Sequence, residues 1–135
     1  METESVIGRI LATARTIAVV GLSPDPHRPS HGVAHYLQRM GYRIIPVNPL
    51  VDRVLGEQAY ASLRNVPEPV DVVDVFRRSE FVTAIVEDAI AIHAKAVWLQ
   101  DGIRDDASAA RARSAGLEVV MDDCIMRRHA QATRR

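Results

Sequence analysis

Gly21, Ser23, Arg28 and Ser30 stand in one short stretch, "GLSPDPHRPS", directly after the apolar run "TIAVV". Two hydroxyls and a guanidinium behind a glycine make an anion-gripping set, because each donates hydrogen bonds to phosphate oxygens and the guanidinium does so as a charged fork. In a G-x-G-x-x-G turn the backbone amides and a helix N-terminus do this work. Here Gly21 is kept, Ser23 stands where the second glycine would be, and Gly32 is the candidate for the third role after a longer loop. Pro24, Pro26 and Pro29 stiffen that loop and supply no N–H. The donors therefore fall to Ser23, Ser30, Arg28 and the first turn of the following helix. The competing reading is a proline-rich surface loop ahead of a capped helix. No G-x-x-x-x-G-K-[ST] stretch occurs, which disfavours an ordinary nucleoside-triphosphate hydrolase.

Further candidates follow the other apolar runs. Dinucleotide folds place Asp or Glu near the end of the second strand, where it holds ribose hydroxyls. This chain has Asn48 there, and a neutral amide tolerates a phosphate on the adenosine ribose, as in NADP or coenzyme A. A turn asparagine before Pro49 is the alternative. Phe76, Arg77 and Arg78 set an aromatic face beside two cations, fit either to pack an adenine and neutralise phosphate or to sit solvated on the surface. Cys124 is a thiol near the last strand's end, either close to a ligand or a small buried hydrophobe. His27, His31 and His35 recur at a spacing of four, but zinc needs three or four convergent ligands, so no metal is expected. Asp71 and Asp74 are read as structural hydrogen-bond acceptors, and Trp98 as core. No serine–histidine–aspartate set and no paired carboxylates with evident roles appear.

These residues need elements to hold them. "ESVIGRILATAR" places Val6, Ile7, Ile10, Leu11 and Ala14 at helical spacing. "TIAVVGL", "YRIIPVNP", "VDVVDVF", "AKAVWLQ" and "LEVVMDD" read as strands, the β-branched ones buried on both faces. Between them come a helix from about Ser30, capped by it and closed by Gly41, with Val33, Tyr36, Leu37 and Met40 on one face. A short helix is expected around Tyr60 to Asn65. "SEFVTAIVEDAIAIH" is a helix capped by Ser79 with Phe81, Ile85, Ala89 and Ile92 in a stripe, and "DDASAARARSAG" one ended by Gly116. Pro46 is a complication for a central strand. The tail "RRHAQATRR" is expected to fray. The alternation predicts an α/β fold: a Rossmann-like, doubly wound, five-stranded parallel sheet in order 3-2-1-4-5. One domain spans 1–135, with a core of about 14–129, an N-terminal helix over 1–14 and a basic tail over 130–135. Ligands of such sheets bind outside the carboxyl ends of the strands.

The totals fit that frame. The chain has 135 residues, 47% hydrophobic and 25% charged, and Lys+Arg 17 balance Asp+Glu 17. No global field draws it to nucleic acid or to an anionic membrane, and the arginines at 127, 128, 134 and 135 lack interleaved aromatics. One cysteine excludes an internal disulfide framework, and no apolar run suggests a signal peptide or a membrane span. The expectation is a cytoplasmic protein.

Taken together, "VVGLSPDPHRPSHGVAHYLQRMGYRIIPVNP", "VDVVDVFRRSE", "VWLQDGI" and "VVMDDCI" resemble the small single-domain CoA-binding proteins, a family similar to the CoA-binding domain of the succinyl-CoA ligase α subunit. The resemblance runs from about Ala14 to His129. It implies coenzyme A or acyl-CoA as ligand and no catalysis of its own. It also implies that Gly21, Ser23, Arg28 and Ser30 take the phosphates and that Val47, Asn48 and Pro49 lie beside the adenosine. Phe76 with Arg77, and Leu99 with Gln100, would line the next two rims. Asp123 departs from the basic residue that family members often carry before the final cysteine. The implied roles are carrier, sensor or partner of another enzyme, with a homodimer open. The alternatives are an NADP-binding oxidoreductase and a CoA-ligase subunit completed by another chain.

Overall fold

The computed structural model describes residues 2–133. In chain order the elements are α1 (Glu2–Thr13), β1 (Thr16–Val20), α2 (Pro29–Arg39), β2 (Arg43–Val47), β3 (Arg53–Val54), β4 (Glu57–Gln58), β5 (Val72–Val75), α3 (Val82–Ala91), β6 (Ala96–Leu99), α4 (Asp106–Ser114), β7 (Glu118–Val120) and α5 (Ile125–Ala132). Two 3₁₀ turns, Leu63–Asn65 and Ser79–Phe81, complete them.

The sheet has five parallel strands in the order β2-β1-β5-β6-β7, so the α/β, doubly wound, Rossmann-like class is as expected. Strand residues alternate between two apolar layers. Ile17, Val19, Ile44, Val72 and Trp98 face α1, α2 and α5, whereas Ala18, Val20, Ile45, Val73, Val75 and Leu99 face α3 and α4. That is why the strands read as continuous β-branched runs.

The expected order 3-2-1-4-5 is corrected: the third long strand, β5, pairs with β1 and leaves β2 at the edge. Pro46 supplies the reason. Its carbonyl accepts the Tyr60 amide at 3.0 Å, and the N–H it lacks would point the same way, toward the outer edge of β2. Only a short return of the connector is seated there, through the Val47–Tyr60 bridge and the Asn48 amide bonding the Tyr60 carbonyl at 2.9 Å. The connector also forms the β3–β4 hairpin, which the sequence reading missed, and its expected helix shrinks to the 3₁₀ turn Leu63–Asn65.

Three local readings also change. α2 begins at Pro29, and Ser30 does not cap it. Ser79 opens a 3₁₀ turn rather than α3, and α3 buries Val82 and Val86 together with the expected Ala89, while Ile85 and Ile92 are partly buried and Phe81 is exposed. The tail is helical through Ala132, packed on α1 and α2, while Arg134 and Arg135 lie outside the described residues. There Tyr36 and His129 (Nδ1) hydrogen-bond at 2.8 Å, and Tyr42 stacks edgewise on the same imidazole. Among the described residues no helix is long and apolar enough to cross a membrane.

Candidate functional site

Strand order decides where a ligand is held. In a 2-1-3-4-5 sheet the connections diverge between the first and third strands, so the crevice opens beyond β1 and β5. The two loops there are Gly21–Arg28 and Phe76–Phe81.

Gly21 joins them. Its φ of +88° suits glycine, and its amide bonds the Val47 carbonyl at 2.9 Å. A Cβ at this position would lie 3.1 Å from Arg77 Cδ and 3.2 Å from the Phe76 carbonyl oxygen. The stem of Arg77 thus crosses the β1 turn directly, and a side chain at Gly21 would displace it.

Beyond Gly21 the loop is tied by its own side chains. The Ser23 amide donates to Ser30 Oγ at 2.9 Å, the Asp25 amide to Ser23 Oγ at 3.1 Å, and the His27 amide to Asp25 Oδ1 at 2.9 Å. That His27 amide bond leads the causes that hold the Asp25 carboxyl below its usual range. Ser30 is 5% exposed, so its hydroxyl is a buried strut of the loop. The first turn of α2 offers few amides: Pro29 has none, and those of His31 and Gly32 both reach the Arg28 carbonyl. The charged donors remain, beside the Ser23 hydroxyl, which accepts the Asp25 amide and keeps its own proton to donate.

Asn48 is a brace. Its Nδ2 donates to the Leu22 carbonyl at 3.0 Å and its Oδ1 accepts the Leu50 amide at 2.9 Å, which locks the β1 loop to the β2 loop. Val47 and Leu99 are core residues, 4% and 1% exposed. The Gln100 side-chain oxygen accepts the Ile125 amide at 3.2 Å and so fixes the start of α5 to the end of β6. Pro49 is exposed beside Leu50, and Phe76 is partly buried against the α1/α2/α5 layer. The exposed ring at this rim is Phe81, which the stripe pattern had assigned to the core; no signal in the sequence separated it from Val82.

The charges sort clearly. Arg43, Arg64, Arg111, Arg127 and Arg128 each form ion pairs with carboxylates. Arg78 pairs with Glu80 at 3.3 Å. Among the described residues neither Arg28 nor Arg77 has such a partner, although they stand on the two loops flanking the crevice. Asp123, the departure noted before Cys124, bonds both Arg127 and Arg128, at 3.0 and 2.9 Å, and its side chain also accepts the Cys124 amide. Cys124 is buried, 7% exposed, as a small member of the core. Trp98 is fully buried, its Nε1 donating to the Asp123 carbonyl at 2.9 Å. The rings of His31 and His35 are 6.4 Å apart, and among the described residues no three metal-ligating side chains converge.

The two aspartates of β5 and its approach differ. Asp71 accepts the amides of Arg15 and Thr16 at 2.8 and 3.0 Å; burial alone would raise its carboxyl, but these donors and Lys95 hold it below its usual range. Asp74 is 0% exposed between Val19 and Trp98, and among the described residues neither carboxylate oxygen has a hydrogen-bond partner. The hydrogen-bonding role expected for Asp74 is therefore corrected. Burial pushes its carboxyl well above the usual range, so it is held as the neutral acid.

A parallel sheet with a glycine turn, two arginines outside any ion pair among the described residues and a braced loop pair at its switch point defines a Rossmann-like α/β domain. Residues 15–130 match the CoA binding domain family, and the chain belongs to it. It is 41% identical over 128 residues to the uncharacterized protein YneT of Bacillus subtilis (strain 168), covering 95% of each chain. A hypothetical protein from Pyrococcus horikoshii OT3 superposes with a TM-score of 0.92 at 38% identity, covering 95% of this chain and 90% of that one. The ADP-forming acetate–CoA ligase II of Archaeoglobus fulgidus is 27% identical over 82 residues, 59% of this chain but 12% of the ligase.

Proposed function

We propose that this chain binds coenzyme A or an acyl-CoA at the carboxyl edge of the sheet, without catalysis, as a cytoplasmic carrier, sensor or partner subunit. The observation that carries the reading is the pair Arg28 and Arg77, which form no ion pair among the described residues and stand on the two loops beside the Gly21 turn. A diphosphate over that turn gains two charge-assisted grips; the acid it competes with is Asp25, whose carboxyl the Arg28 charge helps to hold low. The coenzyme's remaining phosphate, on the adenosine ribose, meets no carboxylate at Asn48, which supports coenzyme A over NAD. Family membership and the stretch shared with the acetate–CoA ligase support coenzyme A over NADP. The same ligase stretch favours a second reading, in which another chain supplies the rest of a CoA ligase.

Calorimetric titration with coenzyme A, NADP and NAD side by side tests the proposal. Saturable coenzyme A binding without an NADP response is expected, and the reverse overturns it. Arg28→Ala should then cost about 1.5–3 kcal/mol of binding, the scale of a hydrogen bond to a charged group. Unchanged affinity in that variant removes Arg28 from the site.

A further inference from the structure

The geometry points to Phe81 as the residue that positions Arg77 for anion binding, an inference that rests on the coenzyme reading above. Phe81 is 37% exposed, one of the large apolar side chains left at the surface. It ends the 3₁₀ turn Ser79–Phe81, ahead of the buried stripe of α3. The ring carries the Arg77 guanidinium 4.1 Å from its centroid, and that of Arg78 at 5.8 Å.

The two arginines are not equivalent. Arg78 is paired with Glu80 on the same turn and lies farther from the ring. Arg77 has no carboxylate among the described residues, and its chain is held at two points, with Cδ against the Gly21 turn and the head over Phe81. An acidic partner would also hold the guanidinium, but it would cancel the charge and compete with an incoming phosphate. The negative face of an aromatic ring holds a cation and leaves its charge available. Phe81 thus keeps an uncompensated cation extended across the switch point before any ligand arrives, and the bound state orders less of the side chain anew.

Coenzyme A and inorganic pyrophosphate are titrated into the full chain and into Phe81→Leu, Phe81→Tyr, Arg77→Ala and the Arg77→Ala/Phe81→Leu double variant. Phe81→Leu should weaken both ligands about two- to five-fold, the size of an exposed cation–π contact. Phe81→Tyr should bind as the parent does, and Phe81→Leu should have no further effect once Arg77 is alanine. In NMR spectra of the ligand-free protein, the Arg77 δ-methylene protons should be ring-shifted upfield in the parent and in Phe81→Tyr, and unshifted in Phe81→Leu. Equal or tighter binding by Phe81→Leu overturns the inference, as does an undiminished loss in the Arg77→Ala background. If the parent binds pyrophosphate but not coenzyme A, the coenzyme reading fails while the Phe81 comparison is still decided on pyrophosphate. Binding of neither ligand by the parent overturns both.

Discussion

Asp74→Asn should flatten the pH dependence of stability by a slope that can be worked out beforehand. Asp74 is fully buried between Val19 and Trp98 with both oxygens unpartnered, and burial holds it neutral in the folded chain. In the unfolded chain it ionises near the ordinary value of about 3.9. Its folded value is the raised one, so between the two values the folded state carries one proton more than the unfolded state. Stability therefore falls as pH rises through that window, by about 1.4 kcal/mol per pH unit for one proton, and the loss stops once the folded carboxyl also ionises. Below both values the term is absent.

The Asn variant lacks this proton. Asp71, Glu68 and Asp101, all held low by their partners, titrate alike in both proteins and cancel in the difference. The variant should gain on the parent by about 1.4 kcal/mol per unit above about pH 4. Asp74→Leu should show the same slope with a different offset, because it also removes a buried polar group without a partner, a cost of about 1–3 kcal/mol. Urea denaturation followed by Trp98 fluorescence at half-unit steps reads both. A parent-minus-variant difference that stays flat from pH 4.5 to 7 would refute the argument, since the carboxyl would then ionise alike in the folded and unfolded states.

Gly21→Ala should cost about 1–3 kcal/mol through its positive φ and lower the affinity for coenzyme A, because the new Cβ meets Arg77 and the Phe76 carbonyl. Gly41→Ala is the control: its φ is +100° but nothing lies within 4 Å of the added carbon, so melting temperature should fall while coenzyme affinity holds. Equal affinities for the two variants would remove Gly21 from the site. Asn48→Asp keeps an acceptor for Leu50 but sets a carboxylate against the Leu22 carbonyl; a loss of about 1–3 kcal/mol in stability and weaker coenzyme binding are expected. Parent-like melting and affinity would show that the brace is dispensable.

Period and propensity carried most of the fold. The β-branched runs mark the strands because both faces of each strand are covered, and Ile7 and Ile10 are buried where helical spacing placed them. Capping was less legible, since a serine that can cap can equally serve as a strut. Ser30 accepts the Ser23 amide, and Ser79 accepts the Arg104 amide across the rim. At the candidate site, residue type singled out the arginines but not their state. Arg77 and Arg78 are neighbours in sequence, and only three-dimensional placement gives one a carboxylate and leaves the other uncompensated. Asn48 stands where dinucleotide folds hold ribose with a carboxylate, and the sequence does not show that its Nδ2 also holds the Leu22 carbonyl and its Oδ1 the Leu50 amide.

The strand order departs from the expected 3-2-1-4-5, and the residue that argues against that order, Pro46, lies in the sequence. In a 3-2-1-4-5 sheet β2 is interior, so a proline within it forfeits a ladder bond on whichever side its N–H would face. At an edge the same proline loses nothing to the sheet. Strands are spaced about 4.8 Å apart, so the expected order would have put the third strand about 10 Å from β1 with β2 between them. Arg77 Cδ could not then lie 3.1 Å from a Cβ on Gly21, nor Phe76 N bond the Val20 carbonyl at 2.9 Å. By confining β2 to the edge, Pro46 lets β5 pair with β1, and that pairing sets Arg77 beside the glycine turn. An arginine two residues beyond β5 stands against the β1 turn only because of where a proline cannot go.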